Sequence, residues 1–132
     1  MITFVDTNIL LDVFLLDPKF GKHSCDSLEK AYQEGSLIIN EIIYAELAPQ
    51  FNSRVLLDTT LSKLGIRTVM IDKDSAYRAG RIWKQYKQAG GKRSRILADF
   101  LIGSHGETQA DRLLTRDRGF YKKYFKNLHI MV

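Results

Sequence analysis

Cysteine is almost missing: Cys25 is the only one among 132 residues. That excludes an internal disulfide framework and a cysteine-built zinc site. Proline is also scarce, with two residues, and the nine glycines are scattered. No linker therefore divides the chain, and a single domain spanning 1–132 is expected. Long hydrophobic runs are absent. The most apolar stretch, Ile9 to Leu16, is interrupted by Asp12 and falls far short of the roughly 20 residues that cross a bilayer. The N-terminus, Met1-Ile2-Thr3-Phe4-Val5-Asp6, has no basic start of a secretion signal. The expected address is the cytoplasm, with no membrane association. His23, His105 and His129 show no metal-ligand spacing.

What is present is a folded-protein composition, 45% hydrophobic and 27% charged, which excludes a disordered chain. The net charge of +5 and the pI near 9.4 point weakly to an anionic partner. The distribution is more informative. Residues 1–50 carry three Lys or Arg and eight Asp or Glu, whereas residues 51–132 carry seventeen and seven. Such asymmetry brings an acidic feature and a basic surface into one molecule.

The apolar run Ile2 to Val5 reads as a strand buried on both faces. Asp6-Thr7-Asn8 can cap a helix beginning near Ile9. A helix is expected over 22–34, ended by Gly35, then a strand at 37–39. Asn40 can cap a helix over 41–48, and a further helix over 54–64 closes at Gly65. A third strand is expected at 68–71, followed by a long helix over 75–89 that Asp72 or Asp74 can cap. Ser94 is expected to cap a helix over 95–103. A fourth strand at 112–115, a helical stretch at 117–125 and a last strand at 128–131 complete the pattern. This alternation predicts an α/β fold with a central, mostly parallel sheet flanked by helices.

Parallel sheets bind ligands beyond the carboxyl ends of their strands. Asp6 follows the first expected strand, and Asp117 follows the fourth by two residues, so both fall at that edge. Asp99 lies in Arg95-Ile96-Leu97-Ala98-Asp99-Phe100-Leu101-Ile102 and Glu46 in Ile42-Ile43-Tyr44-Ala45-Glu46-Leu47. Both border apolar stripes at helical spacing, where a carboxylate is costly unless paired or metal-bound. Glu41 competes on the same helix, but Glu46 is one turn further from the strand. Singly, each acid has a plain use as a helix cap or boundary residue. Together they are candidates for an acidic metal site.

Four segments carry a resemblance. Val5-Asp6-Thr7-Asn8-Ile9-Leu10, Tyr44-Ala45-Glu46-Leu47, Leu97-Ala98-Asp99-Phe100-Leu101-Ile102 and Leu113-Leu114-Thr115-Arg116-Asp117-Arg118-Gly119-Phe120 resemble, in order and spacing, the acidic motifs of the PIN domain. The match runs the length of the chain and is similar to the VapC-type toxins of toxin–antitoxin pairs. Asn40, where many relatives carry a hydroxyl residue, and the very basic segment 90–95 depart from that pattern. The resemblance implies a PIN-like three-layer fold and a metal-dependent endoribonuclease. Asp6 and Asp99 would be the main ligands of Mg²⁺ or Mn²⁺, with Glu46 and Asp117 completing the set. Asn8 and Thr115 would orient the carboxylates. Asp117 or Glu46 would help to orient the attacking water. It also implies an RNA substrate, an inhibitory antitoxin and a homodimer. The apolar surface around Phe14, Leu15 and Leu16 is either core or partly covered by that partner.

Physical chemistry supports such a reading. Four carboxylates in one pocket repel one another and raise their own pKa values, and a hard cation with oxygen ligands relieves this. No acid occurs from Ser75 to Ala98, a window that holds Arg78, Arg81, Lys84, Lys87, Lys92, Arg93 and Arg95 with Tyr77, Trp83 and Tyr86 between them. This is either a solvated helix face or a phosphate-binding track. Lys122, Lys123 and Lys126 form a second cluster, for solubility or weak RNA contact. Arg116 either supports the site by holding a phosphate or pairs with an acid. Two other functions stay open: a non-catalytic RNA-binding module, and a phosphohydrolase with Asp6 as nucleophile. The latter usually opens on DxD, where this chain has Asn8.

Overall fold

The computed structural model describes residues 1–131. Its elements are β1 (Ile2–Val5), α1 (Thr7–Phe14), α2 (Gly21–Glu34), β2 (Ser36–Ile39), α3 (Glu41–Leu47), α4 (Arg54–Lys63), β3 (Ile66–Thr68), α5 (Lys73–Gln88), α6 (Leu97–Gln109), β4 (Arg112–Leu114) and α7 (Arg118–Tyr124). A short 3-10 turn, Ala48–Gln50, with Pro49 in it, follows α3. The four strands lie in the order β3-β2-β1-β4 and every neighbouring pair is parallel. Helices flank this sheet, so the architecture is the expected α/β one. No helix among the described residues is long and apolar enough to cross a membrane.

β1 is central. Ile2 pairs with Ser36 and Phe4 with Ile38 on one side, while Thr3 pairs with Arg112 and Val5 with Leu114 on the other. Beyond half-buried Ile2 it is fully covered: Thr3, Phe4 and Val5 are buried. The helices begin where their caps are. Asn40 Oδ1 accepts the Ile43 amide at 3.0 Å, Ser53 Oγ that of Leu56 at 3.1 Å, and Asp72 Oδ1 that of Ser75 at 2.7 Å. Asn40 Nδ2 also lies 3.4 Å from Nδ1 of His105. His105 is buried and stacks on Phe4 with ring centroids 4.6 Å apart. An aromatic cluster of Tyr86, Phe100, Phe120 and Tyr124 joins α5, α6 and α7.

Three expected elements differ. The third strand is Ile66–Thr68, not 68–71. Gly65, at φ 71°, turns the chain so sharply that Ile66 enters the core at once, whereas Met70 is exposed. The helix after Ser94 starts at Leu97 and runs to Gln109. Ser94 does not cap it; the Asp99 carboxylate accepts the Ile96 amide at 3.0 Å instead. Segment 128–131 is not a full strand. It is tied to β4 by one bridge, Leu113 to Ile130, with Leu113 N–H donating to His129 O at 2.8 Å and Met131 N–H to Leu113 O at 2.9 Å.

Two glycines test the packing. A Cβ on Gly103 would collide with the buried Phe125 ring, while one on Gly80 meets nothing within 4 Å. Urea denaturation of Gly103→Ala is expected to show a loss of about 1–3 kcal/mol from overpacking. Gly80→Ala, in the interior of α5, should gain about 0.5–1 kcal/mol.

Candidate active site at the carboxyl edge of the sheet

The chain builds outward from β1 to β2 and β3, then returns to place β4 on the opposite side of β1. In open parallel sheets such a reversal marks the ligand crevice, which here falls beyond the carboxyl ends of β1 and β4. Asp6 and Thr115 are the next residues of the two strands and lie side by side. Asp6 is 5% exposed. Thr115 Oγ1 donates to its Oδ2 at 2.7 Å, and the Thr7 amide donates to Oδ1 at 2.8 Å. Asn8 Nδ2 is 3.4 Å from both Asp6 Oδ2 and Thr115 Oγ1. These donors favour the ionised form. Burial outweighs them, and the charge of Glu46 adds to it, so the Asp6 carboxyl is pushed up to about 6.

The other three candidate acids are linked to this edge by charge: Glu46 acts on Asp6, and Asp99 and Asp117 act on Tyr121 together with Asp6. Glu46, on α3, accepts a 2.6 Å hydrogen bond from Thr7 Oγ1. Asp99 lies in the first turn of α6, its carboxylate closing the helix start at Ile96. Asp117 immediately precedes α7 but its side chain makes no capping bond. Its amide donates to Thr115 Oγ1 at 3.0 Å, and its carboxylate takes a 2.5 Å ion pair from Arg95 Nη1. Tyr121 is buried among them. Burial first, then the charges of Asp6, Asp99 and Asp117, drive its hydroxyl pKa upward. The hydroxyl therefore stays protonated, with Asp6 as its hydrogen-bond partner.

Each outer carboxylate thus has another partner: Thr7, the start of α6, or Arg95. Among the described residues, no three His, Cys, Asp or Glu side chains are gathered closely enough to hold a metal ion. The donor chemistry still fits a hard divalent cation, since every candidate ligand is oxygen and one is a desolvated carboxylate. The Arg95–Asp117 pair is half-buried, and a cation held at this edge would have to share or displace it.

Of the two uses open to Arg116, the structure shows the acid pair. Its Nε and Nη2 grip buried Asp12 at 2.7 and 3.0 Å, and its guanidinium lies 4.1 Å from the Phe20 ring. Ser24 Oγ donates to the same carboxylate at 2.6 Å, so Asp12 ties α1, α2 and the β4–α7 loop together. Arg116 still braces the crevice through its backbone, whose N–H donates to Asn8 Oδ1 at 3.2 Å. Sequence reasoning does not mark Thr7, Tyr121 or Arg95 as site residues. Tyr121 comes four residues after Asp117, one helical turn, and that spacing is a usable signal. Nothing in the spacing of Arg95 points to Asp117.

The PIN domain family model matches residues 3–126. The chain belongs to the PIN domain family. No curated protein sequence matches it, but solved structures share its fold. One is a chain of VapBC2 from Rickettsia felis, bound to a DNA fragment from its promoter. It has 20% identity and a TM-score of 0.75, covering 99% of this chain and 98% of that one. VapBC-1 from nontypeable Haemophilus influenzae matches at 18% identity and TM-score 0.73, covering 99% and 97%. A toxin–antitoxin complex from Klebsiella pneumoniae matches at 20% and 0.66, covering 98% and 96%.

The Asp6 environment makes stability depend on pH. Its folded pKa, about 6, exceeds the ordinary 3.8. Ionisation therefore costs more in the folded state, and its contribution to stability falls as pH rises from about 4 to 6. Without added metal, Asp6→Asn is expected to melt above the parent at pH 7.5 and level with it near pH 4. A melting-temperature series across that range checks this; a gap independent of pH would contradict it.

Proposed function

We propose that this PIN domain is a metal-dependent endoribonuclease, the toxin of a toxin–antitoxin pair. The observation that carries the reading is Asp6: a buried, desolvated carboxylate at the strand edge, with Glu46, Asp99 and Asp117 around it. Asp6 and Asp99 would be the main ligands of Mg²⁺ or Mn²⁺, and Glu46 and Asp117 would complete the set. When bound, the cation offsets the repulsion of the acids and polarises the scissile phosphate. Thr115 and Asn8 hold Asp6 in orientation. Tyr121 stays protonated and donates toward Asp6. Thr7 fixes Glu46, which with Asp117 is the candidate for orienting the attacking water.

The partner reading is supported by an apolar surface away from the acids. Leu16 is 83% exposed and sits at φ 51°, a backbone conformation that costs a non-glycine residue about 1–2 kcal/mol. Near it, Val13, Leu28, Tyr32 and Leu64, with Glu29 and Lys63, line a mostly apolar groove of about 360 Å³ between α1, α2 and α4. Such a surface suits an antitoxin segment. Phe14, in contrast, packs edge-on against Phe51 at 5.4 Å. A cytoplasmic homodimer is part of the same reading.

Purified protein is expected to cut RNA with Mg²⁺ or Mn²⁺ and to stop on addition of EDTA. Asp6→Asn and Asp99→Asn should each lower the rate by at least about 100-fold, the scale of losing a charge-stabilising group, with unchanged circular dichroism. Cleavage that persists in EDTA, or in both variants, would overturn the mechanism.

A further inference from the structure

Two basic segments that are far apart in sequence meet in one groove. Arg78 and Arg81, on α5, face Lys123 on α7 and Lys126 just beyond it, across an open groove of about 590 Å³. Ile82, Tyr86 and Tyr124 line the space between them. Glu107 sets the spacing of the two walls. Its Oε1 takes a 2.6 Å ion pair from Arg78 Nε, and its Oε2 accepts the Asn127 amide at 3.3 Å. One buried carboxylate thus joins α5 to the segment after α7 and neutralises Arg78. Arg81, Lys123 and Lys126 have no ion-pair partner among the described residues.

The groove leads toward the acids. The Tyr86 hydroxyl donates to Lys92 O at 2.7 Å. A Cβ on Gly91 would collide with the Tyr86 ring, so the loop after α5 lies directly on the groove's aromatic lining. That loop carries Lys92 and Arg93, then Arg95, which holds Asp117 and lies 4.1 Å from the Phe120 ring. The chain therefore runs from the groove lining, through a loop that carries Lys92 and Arg93, to Arg95 beside Asp117. An acidic pocket repels a polyanion, so strand binding has to be supplied from outside the pocket.

We propose that the groove between α5 and α7 binds single-stranded RNA through its phosphates, with Arg81, Lys123 and Lys126 as the contacts, and that the 92–95 loop passes the strand to the acids. The proposal rests on the nuclease reading for its substrate. Three free cations on two walls match a flexible phosphate chain better than a flat or apolar partner, while Tyr86 and Tyr124 between them are held in the aromatic cluster.

The test measures binding without cleavage, in EDTA, by fluorescence anisotropy of a short labelled single-stranded RNA of mixed sequence. The triple variant Arg81→Gln/Lys123→Gln/Lys126→Gln is compared with Lys22→Gln/Lys30→Gln/Lys63→Gln, which removes equal charge elsewhere. The groove variant is expected to bind at least about 10-fold more weakly, and its salt slope to become shallower by about 2, near 0.7 per lost phosphate contact. The control and the charge-keeping variant Arg81→Lys/Lys123→Arg/Lys126→Arg should bind like the parent. Equal losses in groove and control variants, or none in either, overturn the proposal. So does a groove variant whose RNA binding is intact but whose oligomeric state changes, which assigns the face to protein contact. A parent that binds at the groove but never cleaves would sink the nuclease reading alone. A parent that cleaves while the groove variant binds and cleaves normally would sink the groove alone.

Discussion

The hydrogen bond from Asp6 N–H to Leu114 O, 2.9 Å long, is the last rung between β1 and β4. The whole crevice depends on it. Because the strands are parallel and end together, the residue after each one emerges at the same edge. Asp6 and Thr115 then meet, and the Thr115 hydroxyl becomes the hub. It donates to Asp6 and accepts from the Asp117 amide. A register shift of one residue would turn Thr115 to the other face and leave Asp6 buried without its closest side-chain donor. The paired core residues Phe4, Val5, Leu113 and Leu114 are fully or almost fully buried. The geometry of the crevice is thus enforced by packing that has no chemistry of its own.

The parallel sheet, and the strand ends that carry Asp6 and Thr115, were readable in the sequence because a strand buried on both faces has to be an apolar run. Asp6 could be placed because it directly follows such a run, whereas Asn8 and Thr115 were marked as site residues only by the resemblance to the PIN domain. The start of α6 was not readable. Ser94 has the right side chain for a cap, but Asp99 reaches back to the Ile96 amide and begins the helix later. The final segment, 128–131, has an apolar pattern but only one bridge of pairing. Arg116 and Arg95 illustrate a further limit. Both are basic residues near acids in sequence, yet their partners, Asp12 and Asp117, lie 104 and 22 positions away. Long-range pairing of this kind leaves no periodic trace.

The charge asymmetry of the chain takes a definite form in three dimensions. The acidic half contributes Asp6 and Glu46 to the crevice, and the basic half contributes Asp99 and Asp117 together with the cations beside them. Asp12 absorbs Arg116 and Glu107 absorbs Arg78. Pairing of this kind sorts the basic residues into two groups. Some brace one element on another, and others remain available to a polyanion. Composition reports only their sum.

The Arg95–Asp117 contact also makes the two positions unequal. The pair holds one oxygen of the Asp117 carboxylate, and the charge of Asp99 acts on the same guanidinium. Loss of Asp117 would leave Arg95 with Asp99 as a remaining counter-charge. Loss of Arg95 would leave two carboxylates without the cation beside them, and so concentrate negative charge at this edge of the sheet.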